Sequence, residues 1–322
     1  MKVSVIVPVY GVEEFVGRAV ESMMLQTLKD VEYIFIDDCT PDNSMHIVRE
    51  VVARYPDRAA NVKILTHNEN RGLPAARNTG LAAATGKYIF HWDSDDYAAP
   101  EMLEDMFAFA EKNGADFVWA DWFLTFGSGS RLMRERSVPS PAEALTMTLA
   151  GEMKYNVWNK LIVRDLYTQI DIIFPEGRAM GEDMTIIKLL AVAHRVNHLA
   201  KAYYHYVRTN ADALTKQYSV AHLEQLRANT SDICSYLSGK ATERELAWFK
   251  LNVKLPFLFT GRRSDISLWK SWYPEADRYI MTNGYQAPRT RLLQWCAAHG
   301  LSLVNMAYNM IIHKIIYGVI YR

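Results

Sequence analysis

Cysteine is scarce in this chain of 322 residues: Cys39, Cys234 and Cys296 are odd in number, far apart and form no C-x-x-C pair. That pattern excludes a disulfide framework or a zinc ribbon and suits a reduced, cytoplasmic setting. Net charge is absent as well, with 36 Lys and Arg against 36 Asp and Glu, so there is no broad positive footprint for nucleic acid. A membrane-spanning helix needs about 20 apolar residues in a row, and no stretch supplies them. The opening run 3–9 is too short for the core of a secretory leader and reads as a first strand. No glycine-rich loop closing on a lysine follows that strand, which removes the P-loop class.

What remains is a chain that is half hydrophobic. At roughly 150 residues per domain its length predicts two domains, or one large α/β domain with a tail. Short apolar runs at 3–9, 31–36, 62–65, 88–92 and 117–120 alternate with helical patterns at 13–25, 44–54, 74–83 and 100–111, the signature of βα units around a parallel sheet. The segment 125–142, with Gly127, Gly129, Pro139 and Pro141, reads as a mobile surface loop. Helices are predicted around 142–150 and 184–194, a β-rich run at 196–207, and helix from about 218 onward.

Acidic residues gather at the predicted strand ends. His91-Trp92-Asp93-Ser94-Asp95-Asp96 follows one strand directly, and three carboxylates in four positions repel one another unless a cation sits among them. A hard divalent ion held by one or two carboxylates and by phosphate oxygens answers that pattern. A helix cap needs only one Asp. A second pair, Glu182-Asp183 after Gly181, either complements a helix dipole or places a general base for a hydroxyl nucleophile. Asp37 and Asp38 end the second strand, and Arg71-Gly72-Leu73-Pro74 turns into a helix bearing Arg77. A parallel sheet collects such strand ends on one edge.

Taken in order, residues 5–10 (VIVPVY), 36–44 (IDDCTPDNS), 70–78 (NRGLPAARN), 93–96 (DSDD) and 181–183 (GED) resemble the family 2 glycosyltransferases of bacterial surface-polysaccharide type, across about residues 2–215. The resemblance implies a GT-A fold, a Rossmann-like, doubly wound and mostly parallel sheet, and inverting transfer of a sugar from a UDP-sugar. Pro8 and Tyr10 would then line the base pocket and Asp38 would accept from the uracil. Arg77 would meet the diphosphate, and Asp93 would approach the ribose. Asp95, second acid of the DXD motif, would ligate Mn2+ or Mg2+, and Asp183 would be the general base, with Glu182 orienting an acceptor hydroxyl. Trp158, Lys160 and Arg208 are acceptor-side candidates by the same likeness, and His205 is a further ligand candidate set against a strand of packed aromatics.

The predicted organisation is a catalytic domain at 1–216, with a nucleotide-binding half at 1–124 and an acceptor half at 125–216, followed by a helical region at 217–322. Residues 278–322 hold five basic and no acidic side chains. Within them, 301–321 has apolar residues at helical spacing, which suits an interfacial helix at the inner face of the cell membrane, or one packed on the protein's own core or on a second copy in a homodimer. The expected acceptor is a hydroxyl of a saccharide or lipid-linked glycan. Two rivals are transfer to a polyprenyl phosphate, which the lack of multiple membrane spans opposes, and a non-catalytic nucleotide-sugar-binding assembly partner, which has no need of a base such as Asp183.

Overall fold

The computed structural model describes residues 1–127, 129–168, 173–208, 219–260 and 262–312. The chain forms two compact units, Met1–Pro141 with Tyr155–Ile233, and Ala142–Lys154 with Cys234–Arg322. In the first unit β1 (Val3–Val9), α1 (Val16–Met24), β2 (Val31–Asp37), α2 (Ser44–Ala53), α3 (Pro56–Ala59), β3 (Val62–Thr66), α4 (Leu73–Ala83), β4 (Tyr88–His91), β5 (Tyr97–Ala98) and α5 (Met102–Asn113) follow the predicted alternation. Then come β6 (Phe117–Phe126), β7 (Gly129–Met133), α6 (Pro141–Leu149), β8 (Lys160–Val163), α7 (Arg164–Thr168), α8 (Thr185–Leu190), β9 (Val196–Val207) and α9 (Val220–Tyr236). The chain ends in α10 (Glu243–Lys254), α11 (Arg263–Ser271), α12 (Pro288–Ala298) and α13 (Ser302–Ile312).

Among the described residues nine strands make one sheet, ordered β3-β2-β1-β4-β8-β6-β9-β5, with β7 paired to β6. The order 3-2-1-4 is parallel throughout, and β6 pairs parallel with β9, while β8 runs antiparallel between β4 and β6. β1 and β2 lie in the middle of the parallel part and are buried on both faces, which is why their sequences are near-continuous apolar runs rather than alternations. The α/β class read from the sequence is the class observed.

The predicted loop over 125–142 is corrected by the structure. β6 continues to Phe126 and turns into β7, with Thr125 opposite Ser130 and Phe126 opposite Gly129. Beyond the hairpin the chain is pinned: the Asp121 carboxylate accepts from Glu135 N at 2.7 Å and pairs with His198 Nε2 at 2.9 Å, and His198 Nδ1 pairs with Ser137 Oγ at 2.8 Å. Glycine and proline mark a turn, but these long-range hydrogen bonds decide that the flanks are ordered.

The second unit is helical. Thr242 caps α10 by a reciprocal box, its hydroxyl accepting from Glu245 N while the Glu245 carboxylate accepts from Thr242 N. The same carboxylate accepts from the Thr146 hydroxyl, and Asn283 Nδ2 donates to Ala150 O at 3.0 Å, which draws the stretch 142–154 into this unit. The Lys254 ammonium is buried. It donates to Trp272 O and to Asp277, each at 2.7 Å, and sits 3.8 Å from the Trp269 ring centre.

A buried polar knot locks the amino end of the sheet. Glu32 accepts from Ser4 Oγ (2.6 Å), from Thr85 N and Oγ1 (2.6 and 2.7 Å) and from Lys63 (2.7 Å); these bonds outweigh burial and hold its pKa down at about 2. Ser4 Oγ in turn accepts from Gly86 N at 2.8 Å. A Cβ at Gly86 would stand 2.6 Å from Ser4 N and 2.7 Å from Val3 C, both backbone atoms of β1. A Cβ at Gly80 would stand 2.4 Å from Ile6 Cγ2, 2.9 Å from Ile36 Cδ1 and 3.3 Å from Ile6 Cβ, all side-chain rather than backbone atoms. Overpacking costs about 1–3 kcal/mol, and Ala recovers about 1 kcal/mol of helix propensity inside α4 but nothing at Gly86. Gly86→Ala is therefore expected to lower the urea unfolding midpoint clearly more than Gly80→Ala; equal losses would show that the β1 backbone yields as readily as the isoleucines do.

Candidate active site

Because β1 to β4 are parallel, their carboxyl ends share one edge, and the acidic segments follow those ends. Pro8 is half-buried near the end of β1, and Tyr10, one residue beyond the strand, is exposed. Asp38 follows β2 and is buried. Its Oδ1 pairs with His67 Nδ1 at 2.6 Å and accepts from Arg71 N at 2.9 Å, and its Oδ2 accepts from Gly72 N at 2.8 Å. This carboxylate thus ties the end of β2 to the turn that starts α4. Cys39 beside it takes a left-handed φ of 57°, a conformation that costs energy for a side chain with a Cβ and tends to persist at functional sites.

Arg77, on α4, is a buried charged group, only 2 % exposed. Its Nη1 donates to Glu182 at 2.7 Å and its Nη2 to Asp93 at 3.1 Å, and the guanidinium lies 5.5 Å from the Phe174 ring centre. One planar fork therefore joins α4, the segment after β4, and the 3-10 turn Glu182–Met184. Burial pushes Glu182 up from the ordinary carboxylate range while the Arg77 charge pulls it down, and burial is the larger effect. Beside this clasp His91 is buried between Tyr167 and Phe174, and burial drives its pKa well down, so it stays neutral.

The three aspartates after β4 separate by environment. Asp93 and Asp95 are half-buried, while Asp96 is fully buried. Asp96 accepts from Val207 N at 2.7 Å, joining this segment to β9. Burial, with the charges of Asp95 and Asp93, raises its pKa well above the normal value, and its Oδ2 has no hydrogen-bond partner. Among the described residues no three His, Cys, Asp or Glu side chains form a cage for a metal. The donor set instead suits a hard divalent ion that takes one or two carboxylates from the protein and the rest of its oxygens from a diphosphate.

Asp183, half-buried behind Gly181, has its pKa pushed up to about 8, first by burial and then by the Glu182 charge; Arg77 and Lys160 oppose the rise. Gly181 itself has φ 78°, which lets the chain turn sharply into this acidic pair. Lys160 opens β8 and is buried, its Nζ donating to Asn156 O at 2.7 Å and to Asn159 Oδ1 at 2.8 Å. Burial lowers it to about 8, against the charges of Glu135 and Asp183. It is thus a buried cation within electrostatic reach of Asp183 rather than a surface group.

Other candidates lie differently. The Trp158 indole is buried, stacked with Tyr204 (4.9 Å) and Tyr206 (5.2 Å) and set edge-on to Trp122. Arg208 is exposed just past β9, its backbone N bonding Thr125 O. His205 is sandwiched between Tyr97 and Phe123 and pairs with Thr125 Oγ1, which is the packed-aromatic outcome. Sequence reasoning missed His67, Phe174 and Tyr204. Tyr204 accepts from Asp93 N at 3.1 Å and stacks on Trp158, and nothing in the local sequence announces that reach of 111 residues.

Removing one partner of a buried ion pair typically costs about 3–5 kcal/mol, because the other charge is left uncompensated. Arg77→Met is accordingly expected to destabilise the first unit by that order in denaturant melts. Arg77→Lys should recover little, since a single ammonium cannot span Glu182 and Asp93 as the fork does. Full recovery by lysine would mean that charge alone matters.

The comparisons with known proteins agree with this geometry. The family model described as Glycosyl transferase family 2 matches residues 4–184. The Bacillus subtilis protein named "Uncharacterized glycosyltransferase EpsJ" is 32 % identical over 277 residues, covering 80 % of this chain and 77 % of its own. Among solved structures, Staphylococcus aureus TarS 1–349 in complex with UDP-GlcNAc has a TM-score of 0.68 at 23 % identity, covering 96 % of this chain and 92 % of that one. The mannosyltransferase PcManGT from Pyrobaculum calidifontis, in complex with GDP-Man and Mn2+, has a TM-score of 0.52 at 17 % identity and covers 96 % of this chain and 83 % of its own. With the sheet, the motif order and the family match in accord, this chain belongs to glycosyl transferase family 2.

Proposed function

We propose that the protein transfers a sugar from a UDP-sugar to a hydroxyl of a saccharide or lipid-linked glycan, with inversion at the anomeric carbon, in surface-polysaccharide synthesis at the inner face of the cell membrane. The observation that carries this reading is the convergence, on one sheet edge, of the Asp93-Asp95 acids with an Asp183 carboxyl raised to about 8. TarS, named for an N-acetylglucosaminyltransferase and solved with UDP-GlcNAc, supports the choice of donor class.

In this mechanism Asp183 takes the proton of the acceptor hydroxyl as that oxygen forms its bond to the anomeric carbon, and the bond to the departing UDP oxygen breaks in the same displacement. A carboxylate with a pKa near 8 is a stronger base than an ordinary one, and that added strength comes from burial. Arg77 holds Glu182 and Asp93, and so fixes the two walls between which donor and acceptor meet. Pro8 and Tyr10 line the base side. Asp38 sets the floor of that side through the turn at Arg71 and Gly72, its carboxylate already receiving donors from the protein. Asp95 would hold Mn2+ or Mg2+, which when bound supplies positive charge to the diphosphate. Lys160 acts from behind Asp183 through its charge, and Arg208 stands at the exposed acceptor side.

The test is UDP release from a panel of UDP-sugars with Mn2+ and with EDTA. One donor should give metal-dependent release that Asp95→Ala loses, and release unaffected by EDTA would remove the metal. Asp183→Asn should lower turnover by about 10²–10⁴ while leaving UDP binding intact; unchanged turnover would remove Asp183 as the base. Since the base must be deprotonated, kcat/KM should rise with pH through about 8. Lys160→Met removes a positive charge that holds the Asp183 pKa down, so the rise should move to higher pH, and an unmoved profile would uncouple the two groups.

A further inference from the structure

The last described helix of the second unit, α13, is built inside out. Its two asparagines face inward and are buried: Asn305 Nδ2 donates to Leu293 O at 3.0 Å, and Asn309 Nδ2 donates to Leu258 O at 2.6 Å and to Asn305 O at 2.9 Å. Leu303, Val304, Met310 and Ile311 are turned out, with Leu303 77 % exposed. At 100° per residue these four lie within about 120° of arc, opposite the asparagines. A lone exposed leucine is ordinary on a protein surface, but an apolar stripe running the length of a helix marks an interaction face. Hydrogen bonds from Asn305 and Asn309 anchor the helix, so its apolar face is left available.

The border of this face is basic. Lys270, at the end of α11, places its Nζ 3.9 Å from the Cβ position of Gly300, two residues before α13 begins. Arg289 and Arg291 lie on α12, which packs against α13, while Arg278 is paired with Glu243 and the remaining basic residues of the tail, Lys314 and Arg322, lie outside the described residues. An anionic surface is complementary to both features at once.

We propose that the α13 stripe docks on an anionic lipid bilayer, with Leu303, Val304, Met310 and Ile311 entering the boundary between headgroups and acyl chains while Lys270 meets lipid phosphates. Among the described residues no helix is long and apolar enough to cross a membrane. The α13 contact gives the lipid-side placement of the proposed function a surface, and its test reads binding without turnover, so either reading can fail alone.

The experiment is co-sedimentation of the full chain with vesicles of equal parts phosphatidylglycerol and phosphatidylcholine, or of phosphatidylcholine alone, at low and high salt. The wild type should pellet with the anionic vesicles, less so at high salt, and Leu303→Glu/Val304→Glu should weaken partitioning roughly tenfold or more. Both side chains are exposed, so the double variant should keep its thermal melt and its UDP binding. Lys270→Glu should lower binding to anionic vesicles alone. No pelleting of the wild type, or equal pelleting of the double variant, would overturn the proposal. So would a wild-type dimer in light scattering that the double variant splits while vesicles are ignored, which would assign the face to a second copy.

Discussion

The candidate site depends on one buried guanidinium. Arg77 reaches Glu182 and Asp93 across sequence separations of 105 and 16 residues; the contact with Glu182 is buried and that with Asp93 is partly so. Bringing such charges out of water is expensive, and a buried ion pair often adds little net stability. Its worth is in specification: the fork accepts two carboxylates only in one relative position, so the α4 start, the segment after β4 and the turn at Gly181 must come into register together. The Phe174 ring over the guanidinium and the Asn78 bonds to Phe174 complete that register from the other side. In the proposed chemistry Arg77 holds the two carboxylates that flank the site.

Much of this was legible in the sequence, for identifiable reasons. Strands β1 to β4 are short apolar runs bounded by turn residues, and the four helices between and after them carry the 3.6-residue period, so their type and order follow from local pattern. The clustering of acids at strand ends followed from the parallel topology those patterns imply. What could not be read were long-range choices. The hairpin at 126–129 resembled a loop because glycine signals a turn without saying whether its flanks pair. Trp158 offered the same sequence whether exposed to a sugar or stacked with Tyr204 and Tyr206, and its neighbours on β9 settle that. The inward asparagines of α13 reversed the usual reading, in which polar residues mark the outer face.

That reversal follows from what the helix has to cap. Asn309 meets Leu258 O at the end of a 3-10 segment, and Asn305 meets Leu293 O in α12. Buried carbonyls without partners cost more than a few buried methyl groups return, so amide side chains inside this helix are a stable choice once neighbouring backbone groups are left over. The apolar residues are then displaced to the outside by geometry. Exposed apolar faces of that kind commonly mark interaction surfaces.

The proposed proton chemistry rests on a balance between opposing influences on Asp183. Burial and the Glu182 charge raise the Asp183 carboxyl, which makes it a stronger base and leaves more of it protonated near neutrality. The Arg77 and Lys160 charges pull the other way, towards ready ionisation and weaker basicity. With burial and the Glu182 charge on one side and Arg77 and Lys160 on the other, the value settles at about 8, close enough to neutrality to ionise and high enough to be strongly basic. Lys160 falls to about 8 by the mirror-image route, since burial disfavours its charge. Two groups of opposite charge type, each moved by the same dry surroundings towards a common value, make the electrostatics of this pocket sensitive to the arrival of a charged donor.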